Sequence, residues 1–108
     1  MGTLCYDLDV RIIARKALRD FWGKSKYRDS EQPLRAWFAE AKKSAWKTPH
    51  EVKNLYRSAS LIGNNRVVFN IACNKYRIVV SVRYDMGIVF VRFVGTHSQY
   101  SRINAEEV

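Results

Sequence analysis

Near one end of this 108-residue chain lie Arg77, Arg92, His97 and Tyr100, residues able to work on a phosphodiester. Imidazole exchanges protons near neutral pH, and planar guanidinium forks grip phosphate oxygens. A tyrosine hydroxyl donates or aligns. An RNA strand supplies its own nucleophile, the 2′-hydroxyl beside the phosphate. Cleavage by that route needs in-line positioning, a group that takes or relays the hydroxyl proton, cations for the phosphorane charge, and a donor for the leaving 5′-oxygen. It requires no metal. Other uses stay open at this point: a lone His after a strand commonly serves as a structural hydrogen-bonding residue, Tyr100 could close the core, and Asn70 could bind a base or ribose or satisfy a neighbouring strand.

The elements that must position these residues are three strands over 66–72, 75–84 and 88–94. They are rich in β-branched and aromatic residues, and Asn74 and Asp85-Met86-Gly87 suit the turns between them. Side chains alternate across a strand. Tyr76, Ile78, Val80, Val82 and Tyr84 therefore form one face of the middle strand, matched by Val67, Phe69 and Ile71 before it and Val89, Val91 and Phe93 after it. This parity predicts one apolar face and one carrying Asn70, Lys75, Arg77, Arg83 and Arg92, with Thr96, His97 and Tyr100 where the last strand leaves the sheet. Between Asn64 and His97 the only acid is Asp85, so these cations are expected to be free for an anionic partner, although a solvated face is common on antiparallel sheets.

The formal net charge of +9 favours a polyanion, nucleic acid before acidic protein or anionic membrane. The length suits one domain with one core. No long apolar run or signal-peptide pattern is present, so a cytoplasmic protein without a membrane partner is expected. Cys5, Cys73, His50 and His97 lack metal-ligand spacing, and no metal or other cofactor is expected. Glycine-rich phosphate loops, nucleophile elbows and internal repeats are absent from the sequence.

Residues 1–9 read as an N-terminal extension, flexible or non-native, before a single domain over 10–108. Val10 to Ile13 is a short strand able to join the sheet edge. Ala14, Leu18, Phe21 and Trp22 recur at helical spacing up to Gly23. Residues 24–29 read as a turn, and Ser30 as the cap of a second helix with Pro33 in its first turn and Leu34, Trp37, Phe38, Ala41 and Ala45 as its apolar stripe. Thr48-Pro49-His50-Glu51 fits a capping box opening a third helix that buries Val52 and Leu55. Residues 58–65 read as a connection containing a turn, and 104–108 as a frayed acidic end. The expected fold is α+β, with a strand and two to three helices on the apolar face of an antiparallel sheet.

Phe69-Asn70, Asn74-Lys-Tyr-Arg77-Ile-Val79, Arg92 and Thr96-His97 with Tyr100 together resemble the HigB-type toxins of bacterial toxin–antitoxin pairs, within the wider RelE-like class. The resemblance runs from Val10 to about Ile103. It implies a RelE-like domain that cleaves mRNA on the ribosome and is held inactive by a HigA-type antitoxin with a helix-turn-helix domain, so that DNA is met only through the antitoxin complex. The family motif falls on Asn70, Asn74, Arg77, Arg92, Thr96, His97 and Tyr100. In that reading Arg77 and Arg92 hold phosphate, His97 handles a proton and Tyr100 aligns or stacks. Asn70, Asn74, Lys75, Arg83 and Thr96 are the candidate RNA contacts, Lys75 being a local cation the motif does not demand. Two departures stand out. Ala72-Cys73 replaces a frequent Gly-Gly pair, and residues 1–9 have no counterpart, which suggests translation starting at a GUG codon for Val10. A noncatalytic RNA- or ribosome-binding module, and a protein-interaction subunit, are the alternative readings.

Overall fold

The strands assemble in the order β1-β5-β4-β3-β2. In this computed structural model, which describes residues 11–13, 15–43, 46–72 and 75–108, these are β1 (Arg11–Ile13), β2 (Ser60–Ile62), β3 (Arg66–Ile71), β4 (Tyr76–Arg83) and β5 (Ile88–Thr96). The helices are α1 (Arg15–Trp22), α2 (Glu31–Lys43), α3 (Pro49–Leu55) and the single turn α4 (His97–Tyr100), with a 3₁₀ helix over Ser25–Ser30. The β2 to β5 pairings are antiparallel, and β1 lies parallel to β5. This is the expected α+β architecture. Residues 1–10, Cys73, Asn74 and Ala45 lie outside the described residues, and with them the expectations for the extension and its start.

One sheet face and the helices enclose the core. Leu18 and Phe21 of α1, Leu34, Trp37 and Ala41 of α2 and Val52 of α3 pack on Val67, Phe69, Tyr76, Ile78, Val80, Val82, Val89 and Val91. Phe69 is the aromatic centre, with the rings of Tyr56, Trp37 and Trp46 at 4.8, 5.4 and 5.8 Å. Parity assigns β3, β4 and the first half of β5 correctly, then fails. Val80 pairs with Val91 and Val79 with Phe93, so Arg92 is an extra residue in a β-bulge. Such an insertion reverses the facing of everything beyond it. Val94, not Phe93, therefore packs on the core.

The second face is less open than alternation suggests. Val68, Val79 and Ser81 are 3, 0 and 7% exposed. The chain after Tyr100 runs back to the β2–β3 turn: Asn64 Nδ2 donates to the Glu106 carbonyl at 3.0 Å and Arg66 Nη2 to that of Val108 at 2.7 Å. The end expected to fray is thereby tied down.

Other local expectations are corrected. Residues 60–62 form β2, and Gly63-Asn64-Asn65-Arg66 closes the β2–β3 hairpin, with φ of 60° and 58° at the two asparagines as a type I′ turn requires. The segment read as a turn is the 3₁₀ helix, and the Ser30 hydroxyl donates back to the Tyr27 carbonyl at 2.6 Å. Thr48 caps α3 as expected, but Glu51 accepts from the Lys47 amide, and Leu55 is 53% exposed because α3 ends with that residue outward.

Candidate active site

Arg77 and His97 meet where β4 begins and β5 ends. Their strands are in register, Arg77 opposite Gly95 and Tyr76 opposite Thr96. The chain then turns at once into α4. Thr96 caps that turn: its hydroxyl accepts from the Gln99 amide at 3.1 Å, and its own amide donates to Gln99 Oε1 at 2.9 Å. His97 is thereby the first helical residue, held against the sheet end. Arg77 Nη2 lies 2.9 Å from His97 Nδ1. The same guanidinium lies 6.0 Å from the Tyr100 ring centre, a loose cation–π contact. Guanidinium can only donate, so Nδ1 is the acceptor in this contact.

Gly95 suits this geometry. A β-carbon there would stand 2.5 Å from the Phe93 ring and 2.7 Å from Gln99 Oε1. The bare backbone admits both the outward Phe93 and the glutamine of the cap.

The remaining candidates separate. Asn70 is in register with Arg77, but its amide donates to the Ser58 carbonyl at 3.0 Å and so ties β3 to the chain entering β2. Thr96 spends its hydroxyl on the cap. Arg92 is exposed at the bulge, its guanidinium 5.4 Å from the Phe90 ring. Lys75 is not the free cation expected: it is hydrogen-bonded to Asp29 of the 3₁₀ helix, whose carboxylate also accepts from the Tyr76 hydroxyl. The Lys75 ammonium, then the Tyr76 hydroxyl, hold the Asp29 carboxyl below its usual range, and the hydrogen bond to Asp29 raises Lys75 in turn. Both side chains are more than half exposed, so the pair is a tether and a weak source of stability. Arg83 ends β4, where Nε pairs with Asp85 Oδ1 at 3.6 Å. Six residues of strand put it about 20 Å from Arg77. Asn74 lies outside the described residues.

Sequence reasoning passed over Gln99, Gly95 and Asp29. Only Gln99 had a local signal, the Thr-x-x-Gln spacing of a capping box.

Residues 30–103 match the family model of the HigB toxin, the RelE-like toxic component of a toxin-antitoxin system. The match spans well over half of the chain. This chain belongs to the HigB toxin family. No curated protein matches it. All of Arg77, Arg92, Thr96, His97 and Tyr100 fall inside the matched span, as does most of the sheet. As a HigB toxin the chain is the toxic half of a pair and has an antitoxin as partner. No helix among its described residues is long and apolar enough to cross a membrane.

Proposed function

We propose that this HigB toxin is an endoribonuclease that cuts mRNA on the ribosome, using the substrate 2′-hydroxyl and no metal. A HigA-type helix-turn-helix antitoxin restrains it, and through that complex alone it meets DNA. The observation that carries the reading is the Arg77–His97 contact at 2.9 Å beside Tyr100. It sets a phosphate-gripping fork against a proton-exchanging ring on an exposed sheet end.

In the resting arrangement His97 Nδ1 is occupied by Arg77. A phosphate that engages the Arg77 fork draws it away and releases the ring. The imidazole then takes the proton of the 2′-hydroxyl as that oxygen attacks phosphorus. The bond to the 5′-oxygen breaks, and the imidazolium returns a proton to the leaving oxygen. Arg77, with Arg92 further along β5, neutralises the phosphorane charge, and Tyr100 aligns or stacks on the strand. The products are a 2′,3′-cyclic phosphate and a 5′-hydroxyl.

Mapping of RNA ends after adding purified toxin to a translating extract, beside the same message without ribosomes, tests the reading. Cuts inside translated codons bearing those ends support it. Intact message alongside stable ribosome association refutes it in favour of a noncatalytic binding module.

A further inference from the structure

A groove of about 570 Å³ adjoins the site on the far side of α4. β1 pairs with β5 only over Ile88 to Phe90, so the second half of β5 has no described strand on its outer side. The groove lies where Phe93 and Val94 come to that edge. Across it stand Lys24, Lys26 and Tyr27 from the chain between α1 and α2, and it closes on Gln99 and Arg102.

We propose that this groove is a subsite for one nucleotide of the RNA strand, next to the phosphate held at Arg77 and His97, with its base against Phe93 and adjoining phosphates on Lys24, Lys26 and Arg102. The inference rests on the endoribonuclease reading for the identity of the strand. Three observations support it. The Arg92 bulge turns Phe93 out of the core, and Gly95 leaves room for its ring, so an aromatic surface is presented here instead of being buried. The lining holds three cations and no carboxylate, and no described ion pair engages any of them. Aromatic surface with flanking cations is how proteins hold single strands, since every base offers a face to stack and every linkage a charge. Finally, the groove is continuous with the site: Gln99 belongs to the same turn as His97 and donates through Nε2 to the Tyr27 hydroxyl at 3.2 Å. The volume is in the usual range for small-molecule pockets.

Fluorescence anisotropy with a labelled, 2′-O-methylated pentaribonucleotide, which cannot be cut, reads this site without catalysis. Lys24→Ala with Lys26→Ala is expected to weaken binding about tenfold and to flatten the slope of log affinity against log salt by about 1.4, near 0.7 for each phosphate no longer neutralised. Phe93→Leu is expected to weaken it about tenfold, because a leucine offers the base no ring to stack on. Lys42→Ala with Lys43→Ala, the same charge removed from the end of α2, should leave affinity within twofold. Equal weakening by the two lysine pairs, unchanged binding in the groove variants, or no binding by the wild type would overturn the subsite. So would an acidic peptide that binds tighter than the RNA and depends on Lys24 and Lys26, which would assign the groove to a protein. Groove-dependent RNA binding without cleavage of translated message leaves the subsite standing and removes the endoribonuclease reading.

Discussion

Arg77 Nη2 and His97 Nδ1 are 2.9 Å apart, with the arginine as obligate donor. At rest, then, Nδ1 is engaged by the guanidinium. Under the proposed function this one hydrogen bond would couple phosphate binding to proton transfer. Arg77→Ala is expected to lower cleavage of translated message about a hundredfold to a thousandfold, and His97→Ala by about a hundredfold to ten thousandfold. The double variant should lose far less than the product of the two, as residues acting as a unit do. Single-turnover cleavage on programmed ribosomes measures all three, and a fully multiplicative double variant would show that the residues act separately.

Thr96 reads as a structural cap. Thr96→Ala should cost about 1 kcal/mol, a fall in Tm of roughly 4–8 °C for a domain of this size. Cleavage should fall as His97 loses its footing. Thr96→Ser keeps the capping hydroxyl and should restore both. Thermal unfolding and cleavage followed together test this: loss of activity without loss of stability would mean that Thr96 contacts RNA instead.

At Gly95 the space is already taken. Gly95→Ala places a methyl 2.5 Å from the Phe93 ring and 2.7 Å from Gln99 Oε1, a clash expected to cost about 1–3 kcal/mol. Denaturant unfolding gives the cost, and a variant as stable as wild type would show that the ring and the cap shift freely.

Ala72 sits at φ 53°, a left-handed conformation that suits glycine. The strain of roughly 1–2 kcal/mol exceeds the chain entropy that glycine adds, about 0.4–1 kcal/mol. Ala72→Gly should therefore raise Tm by a few degrees. A lower Tm would show that the loop keeps its alanine for packing.

Asp29 makes a pH prediction with a definite sign. Its carboxyl is held below the ordinary value of 3.8 by Lys75 and Tyr76, so its contribution is complete above that pH and lost as pH falls through the lower folded value. The Tm of wild type should exceed that of Asp29→Asn at neutral pH, and the gap should close below pH 3.8. A gap that persists to the acid limit would mean that the ionised carboxylate is not what matters.

The sequence made the meander and the core face of β4 legible, because alternation over Tyr76, Ile78, Val80 and Val82 is unbroken. It also brought Arg77, His97 and Tyr100 into one neighbourhood, because strand ends and turns fix where such residues fall. The bulge was not legible: an extra residue leaves no mark in a run as uniformly apolar as Val89-Phe90-Val91, and so Phe93 and Val94 exchanged faces. β2 is too short for a periodic pattern. Lys75 appeared free because its partner, Asp29, is far away in sequence, and counting nearby acids cannot see a tertiary pair.

The parallel pairing of Arg11 with Ile88 joins opposite ends of the chain. Synthesis is vectorial, so β1 and α1 emerge long before the strand they must flank. The sheet closes only after β5 has left the ribosome, and His97 follows β5 immediately. Under the proposed function, the fold and the Arg77–His97 pair are therefore completed together, late in synthesis.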